Sequence, residues 1–181
     1  MAAKAMPQAA SLLDPDQCSE DSLSAPFFAV STAKLLVLSV CTFGLYEVYW
    51  FYENWRRIKL REGSQIAPAV RAVFSIFFCY PCFARIRDFS VSAPLRSGLT
   101  AWPLAMGWIV TTLFCELGGP YWFVSLFGVI FLLPVQSHVN RINAAVCPRH
   151  DPNSRLTLVN GVAIGIGLVL LVVTAVGIGA T

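Results

Sequence analysis

The chain has 181 residues, of which 56% are hydrophobic and only 13% are charged, against about 25% charged in soluble domains. Its net charge is +3 and its basic residues are dispersed among apolar runs, which excludes the dense basic surface of a nucleic-acid-binding protein. Residues 156–181 contain no charged residue, and about 20 apolar residues suffice to cross a bilayer. The composition therefore indicates an integral membrane protein.

The first 26 residues, 1–26, differ in character from the rest. They contain four acidic residues and one lysine and lack the apolar stretch of a secretory signal peptide. We expect a disordered polar tail there. Residues 27–181 are expected to form one helical membrane domain.

Five apolar runs follow in chain order. The second is short, because its 13 residues would reach only about 20 Å as a helix, less than the roughly 30 Å of the hydrocarbon core. Gly118-Gly119-Pro120, between the third and fourth runs, predicts a tight turn and hence an antiparallel hairpin. The runs cover roughly 33–52, 72–84, 99–117, 121–135 and 156–180.

The positions of Lys and Arg discriminate between topologies, because cytoplasmic loops carry the excess of positive charge. If all five runs cross, the two sides hold eight and five positive charges. If 72–84 enters and leaves on one side, residues 56–96 and 141–155 place eleven there, with Lys4 and Lys34 opposite. We therefore predict an all-α integral membrane protein with about four transmembrane helices plus one short re-entrant or interfacial helix, and both termini outside. In the alternative, 33–52 is broken at Gly44 and also re-entrant, which puts the tail inside.

The sequence Thr-Phe-Gly-Leu-Tyr at 42–46 is followed by Tyr-Trp-Phe-Tyr at 49–52 and by Trp55. This pattern resembles a signature of small bacterial multi-pass membrane proteins of unknown function, in which Thr-x-Gly-Ile/Leu-Tyr closes an apolar run and Tyr-Trp and a basic helix follow. The resemblance is confined to the region 42–61. It implies a location in the bacterial inner membrane and brings no catalytic residues.

Glu47 is the first candidate functional residue. It lies nine residues before Arg56, about 13 Å inside the basic end of the first run, where a charge is unfavourable unless it faces a protein interior or water. We expect Tyr46 and Tyr49 to donate hydrogen bonds to it and Asn54 to share its helical face. Glu47 is either a proton, ion or partner contact or a neutral acid packed within the bundle.

His138 and Arg141 are further candidates, on a polar helical face within 136–143. Zinc needs three or four converging ligands, and no Cys or carboxylate stands at ligand spacing from His138. Cys79-Tyr80-Pro81-Cys82 lies in an apolar run, so we interpret its cysteines as packing residues beside a kink. We predict no catalytic, cofactor or metal site.

Three glycines of the last run, Gly161, Gly165 and Gly167, predict close helix packing, because small residues let helix backbones approach in a bilayer. The helix that packs there belongs either to the same chain or to a second copy.

These observations predict a non-enzymatic membrane protein that acts through partner binding, as a regulator, an assembly factor or an immunity-type protein. Its expected partners are the lipid bilayer and another membrane protein or a second copy, without nucleic acid and without a cofactor. The alternative is transport of a small solute or ion with Glu47 in the path, and a third possibility is an enzyme acting on lipid.

Overall fold

The structure, a computed structural model, describes residues 25–92, 98–117 and 119–179. Over these ranges the chain forms seven α-helices and two 3-10 helices and no β-strand, so the prediction of an all-α fold is confirmed. The predicted polar tail, 1–26, lies outside the described residues apart from its last two. The α-helices are α1 (Thr32–Cys41), α2 (Leu45–Glu62), α3 (Pro68–Val73), α4 (Ser75–Ser92), α5 (Ala101–Leu113), α6 (Val129–Val146) and α7 (Leu158–Gly179), and the 3-10 helices are Phe114–Glu116 and Gly119–Gly128.

The first apolar run is not one helix. Phe43 and Gly44 separate α1 from α2 with φ values of 52° and 84°, in the left-handed region that ends a helix and favours glycine. Thr42 Oγ1 bridges the break, because it donates to the Leu38 carbonyl at 2.7 Å and accepts from the Tyr46 amide at 2.9 Å. The predicted continuous span over 33–52 is therefore wrong, and the break lies where the alternative placed it.

The two ends of this run lie side by side. The Phe28 amide, just before α1, donates to Asn54 Oδ1, late in α2, at 3.2 Å. At the other extreme, the Phe43 ring packs against the Trp122 ring with centroids 5.8 Å apart. The chain thus goes out along α1 and returns along α2, so this run is a helical hairpin.

Lys34, at the start of α1, is held by the segment that precedes α7. Its ammonium donates to Asn153 Oδ1 and to the Arg155 carbonyl, each at 2.8 Å. When the side-chain amide of Asn160 is oriented so that its oxygen faces donors, that oxygen accepts from the same ammonium at 3.1 Å. The charge-based topology placed Lys34 and Arg155 on opposite sides of the membrane. In the structure these two residues are in direct contact.

The second apolar run, 72–84, is divided between α3 and α4. α3 packs against α2, and α4 packs against α2 and α5. α4 contains Pro81 and continues past the apolar run, and the Arg85 Nε, 3.0 Å from the Glu62 carboxylate, links it to the end of α2. The run is thus not a separate short helix, and its re-entry into the membrane on one side stays a prediction.

α5 and α6 lie antiparallel, as expected of the predicted hairpin, although Gly118 of the predicted turn lies outside the described residues. Close approach depends on two glycines. A Cβ at Gly107 would overlap the Phe131 ring, and a Cβ at Gly128 would lie 3.3 Å from Thr111 Oγ1. The later residue of α5, Thr111, meets the earlier residue of the other arm of the hairpin, Gly128, and the earlier Gly107 meets the later Phe131, as in an antiparallel pair.

α7 packs mainly against α1. A Cβ at Gly167 would overlap the Cys41 carbonyl, so Gly167 is the glycine that permits backbone contact between the two helices. Gly161 and Gly165 have no atom within 4 Å of such a Cβ. Close packing against a helix of the same chain is therefore seen at Gly167, and packing of Gly161 and Gly165 against a second copy stays a prediction.

Within the described ranges, one continuous helical segment, Tyr121–Val146, is long and apolar enough to cross a membrane. Two shorter apolar helical stretches, Thr32–Cys41 and Leu158–Thr174, accompany it. The structure is thus that of an all-helical protein with one candidate membrane span.

Candidate functional site

The centre of the molecule is occupied by an extended peptide segment, residues 25–30, which belongs to no helix. Five of its six residues, all except Pro26, are at most 5% exposed. A buried backbone donor or acceptor without a partner costs about 1–3 kcal/mol, and no helix of its own supplies partners here. The surrounding helices do so with side chains.

α6 contributes three carboxamides. Asn143 holds Phe27 at both backbone groups, because its Oδ1 accepts from the amide at 3.2 Å and its Nδ2 donates to the carbonyl at 3.0 Å. Gln136 Nε2 donates to two carbonyls of the segment at 3.1 Å each, one of which, that of Val30, also accepts from Asn140 at 3.0 Å. Residues 136, 140 and 143 share one helical face, which is the physical reason they act together.

α2 holds the opposite side of the segment. Asn54 Oδ1 accepts from the Phe28 amide at 3.2 Å, and its Nδ2 donates to the Trp50 carbonyl at 2.9 Å. Arg57 donates to two carbonyls of the segment at 2.8 and 3.0 Å, and Arg61 donates to a third at 3.2 Å. Asn54 therefore holds the extended segment, and its hydrogen bonds go to Phe28 and Trp50 and not to Glu47.

One bond joins the two sides of this network. Trp50 Nε1 donates to Gln136 Oε1 at 2.6 Å, and Gln136 Nε2 also donates to Asn140 Oδ1 at 2.7 Å. Trp50 and Gln136 are completely buried. Hydrogen bonds enclosed at such low polarity are strong and define one geometry, so α2, α6 and the segment form one unit.

Glu47 lies beyond this network, near the break between α1 and α2, and is 5% exposed. Its Oε2 accepts from Trp108 Nε1 on α5 at 2.6 Å. The expected donors, Tyr46 and Tyr49, are not its partners in the described structure. The Trp108 ring also meets the Phe51 ring edge-on, with centroids 4.9 Å apart. Glu47 is thus a fixed contact between α2 and α5.

His138 and Arg141 come together at a cleft of about 420 Å³ between the start of α5 and α6. Ser137 and Thr100 add hydroxyl groups to its lining. His138 is 9% exposed, and among the described residues its Nε2 has no hydrogen-bond partner. Arg141 is exposed and makes no ion pair within the described part of the chain. These two of the four predicted polar residues therefore share a site, separate from Glu47 and Asn54.

The cysteines are distributed between two environments. Cys79 and Cys82 are free and completely buried in α4, in agreement with their interpretation as packing residues. Cys147, at the end of α6, is disulfide-bonded, which no spacing in the sequence indicated. In the described ranges, no three His, Cys, Asp or Glu side chains are grouped so that they could hold a metal ion.

The network residues that sequence reasoning missed do carry a signal. Gln136, Asn140 and Asn143 recur at i, i+4 and i+7 in a helix whose other face is apolar, and Arg57 and Arg61 follow the predicted Asn54 at i+3 and i+7. In a helix surrounded by protein and lipid, such a polar stripe predicts hydrogen bonds to groups in the interior of the protein. The partner is a stretch of backbone, and residue types do not identify it because every residue has the same backbone groups.

Comparison with known proteins does not extend these findings, since no family model, curated protein or solved structure matches the chain. The resemblance of region 42–61 to small bacterial membrane proteins stays a prediction. By its fold and site the chain is an all-helical protein with one candidate membrane span and a polar network that encloses an extended segment.

We expect Asn143→Ala to lower the free energy of unfolding by about 1–3 kcal/mol, because the buried Phe27 amide loses its hydrogen-bond acceptor, while the Phe27 carbonyl keeps Arg57 as a donor. Asn140→Ala is the matched control in the same helix. Its effect should be smaller, because Gln136 continues to donate to the Val30 carbonyl. Thermal unfolding of the two purified variants measures the difference, and equal losses would contradict the role given to Asn143.

Proposed function

We propose that this chain is a non-enzymatic, multi-pass protein of the cell membrane that acts by binding a protein partner within the bilayer, as a regulator, an assembly factor or an immunity-type protein. The observation that supports this proposal is the surface of α7. Ten of its large apolar side chains are between 49% and 91% exposed. They are Leu158, Val159, Val162, Ile166, Leu168, Val169, Leu170, Val172, Val173 and Val176.

Water is an unfavourable surrounding for such a surface, since soluble monomers rarely expose contiguous apolar patches larger than a few hundred Å². α7 has 22 residues, about 33 Å of helix, and the hydrocarbon core of a bilayer is about 30 Å thick. A membrane location therefore fits its length as well as its exposure. The bacterial inner membrane is the membrane that the resemblance of region 42–61 implies.

The contacts of the fold favour a revised topology with three crossing segments: α5 together with the 3-10 helix Phe114–Glu116 that continues it, Tyr121–Val146, and α7. The α1–α2 hairpin enters and leaves on one side, and α3 and α4 do the same. This arrangement puts all thirteen Lys and Arg of the chain on the cytoplasmic side, a stronger bias than eleven to two. It therefore obeys the positive-inside rule and agrees with the contacts of Lys34.

Partner binding is supported by the glycines that the fold leaves uncovered. Gly161 and Gly165 lie one turn apart on α7, and in the described part of the chain no other element has an atom within 4 Å of a Cβ built at either one. Association of helices in a membrane depends on close backbone approach at small residues, and Gly167 shows that α7 already packs in this way against α1. We infer that the Gly161–Gly165 face receives a helix of a partner or of a second copy.

The alternative, transport through a path that contains Glu47, has less support. The carboxylate is bonded to Trp108 in a contact between two helices, which is the arrangement of a packed acid.

We expect single cysteines at Ser64 and Asp151 to react with an impermeant thiol reagent only from the cytoplasmic side. A cysteine at Leu117, which is 50% exposed at the other end of α5, should react only from outside. The experiment uses the full chain, otherwise free of cysteine, in inverted and right-side-out vesicles. Labelling of positions 64 and 151 from opposite sides would show that the first run crosses and that the revised topology is wrong.

Gly165→Leu should abolish association of α7 with its partner helix, because a bulky side chain holds the two backbones apart. Val169→Leu, one turn further on and 63% exposed, is the control and should leave association unchanged. Cross-linking or fluorescence energy transfer in bilayers measures self-association, and co-purification from native membranes measures other partners. If both variants behave like wild type, the glycine face contacts lipid alone and the proposal loses its support.

Glu47→Gln should preserve expression, insertion and stability, because the amide keeps an acceptor for Trp108 Nε1. Glu47→Leu should lower stability by about 1–3 kcal/mol, because it leaves that buried donor unpaired. Proton or cation flux in liposomes should be absent from wild type and variant alike. A wild-type flux that Glu47→Gln abolishes would establish transport in place of partner binding.

A further inference from the structure

A continuous apolar surface lies where α3 ends and α4 begins, and we call it the apolar corner. Its members recur at i, i+3, i+4 and i+7, the spacing of one helical face, and only residue 74 separates the two helices. The other side of the corner is buried against the core at Ala72, Ser75 and Cys79. The four members are between 53% and 75% exposed and are Val70, Val73, Phe74 and Phe77.

Two guanidinium groups lie at the base of the apolar corner, on the ring of the buried Trp55. The Arg71 Cζ is 4.4 Å from the centroid of that ring, and the Arg85 Cζ is 5.2 Å from the same centroid. Arg85 has the Glu62 carboxylate 3.0 Å away. Arg71 makes no ion pair within the described part of the chain. A cation without a counter-charge thus stands directly beside exposed apolar side chains.

An exposed aromatic pair beside the corner indicates its level in a membrane. The rings of Tyr80 and Trp102 meet edge-on with centroids 5.7 Å apart, and the two residues are 38% and 60% exposed. Tyr and Trp favour the level of the lipid headgroups, and Trp102 is the second residue of α5, whose start is cytoplasmic in the revised topology. Phe74 lies six residues before Tyr80, about 9 Å of helix, so the corner reaches no further than the shallow part of the hydrocarbon.

The side chains of the corner fit lipid better than a partner helix. Helices that associate within a membrane approach at small residues, and all four members of the corner are valine or phenylalanine. Acyl chains adapt to such bulky side chains. An apolar face flanked by basic residues at shallow depth is the pattern of helices that lie in the membrane interface, and anionic lipids strengthen their binding.

We propose that the apolar corner is a shallow membrane anchor that prefers the anionic phospholipids of the cytoplasmic leaflet. The four apolar side chains contact the upper part of the acyl chains. Arg71 binds a lipid phosphate, for which its planar fork of donors is suited. This inference rests on the membrane location given in the proposed function, and it adds which lipid the chain contacts and at which residues.

The test uses the full chain in nanodiscs that contain phosphatidylcholine and phosphatidylglycerol. The parent chain carries Cys115→Ser, because Cys115 is the exposed free cysteine of the described ranges, and its residual labelling is the blank. A fluorescent probe is attached through Val73→Cys at the corner. Reference probes are attached through Gln65→Cys, in the exposed turn before α3, and through Val169→Cys on α7.

Iodide quenches probes that are in water, and lipids brominated in the acyl chain quench probes that are in the membrane. We expect the probe at residue 73 to behave like that at residue 169, and the probe at residue 65 to be quenched by iodide. Quenching by brominated phosphatidylglycerol, compared with brominated phosphatidylcholine, gives the lipid preference at the corner.

Arg71→Gln should lower the preference for phosphatidylglycerol about fivefold, the factor expected for one cation near an anionic surface. Arg71→Lys keeps the charge and should keep the preference. Arg149→Gln, which removes a charge from an exposed arginine outside the corner, should leave the preference unchanged.

Iodide quenching at residue 73 together with lipid quenching at residue 169 overturns the anchor and leaves the proposed membrane location intact. Iodide quenching at both positions refutes that location as well. Shielding of residue 73 from both quenchers shows that protein covers the corner and overturns the proposal. The same holds if wild type shows no preference for phosphatidylglycerol, if Arg149→Gln acts like Arg71→Gln, or if Arg71→Lys and Arg71→Gln act alike.

Discussion

Residues 25–30 run through the core without forming helix or sheet, so their backbone N–H and C=O groups need hydrogen-bond partners from the surrounding helices. In a protein interior, and more so in a bilayer, a backbone donor or acceptor must find a partner within the molecule. Here the partners are long polar side chains, Asn54, Arg57 and Arg61 from α2 and the carboxamides of α6. The identity of these side chains is therefore dictated by a stretch of chain that is distant in sequence.

The same contacts explain the path of the chain near its start. Because α2 must reach the segment that precedes α1, the two helices have to fold back on each other. Phe43 and Gly44, in left-handed conformation, make that reversal possible, and Thr42 bonds to both helices. The buried guanidinium of Arg57 has Glu53 3.9 Å away as its counter-charge, which a buried cation requires.

The remaining helices are joined by fewer and different contacts. Glu47 and Trp108 connect the hairpin to α5, and glycines connect α5 to α6 and α1 to α7. Since α7 has no part in the buried core cluster, its position depends on Gly167 and on the contacts of Lys34. α7 therefore has few contacts with the rest of the chain and an exposed apolar surface. Such a surface can contact lipid or another helix.

The sequence by itself determined the helical class, the absence of a basic surface and the positions of the apolar runs, because composition, charge and hydropathy are local properties of the chain. It also marked Gly44 as a break and His138 and Arg141 as polar groups of interest. Only the tertiary structure decided that the first run returns on itself, that Asn54 serves the extended segment, and that Trp108 is the partner of Glu47. The pairings of Asn54 and of Glu47 join residues 26 and 61 positions apart. Neither periodicity nor spacing along one helix indicates which distant backbone or side chain a polar group will meet.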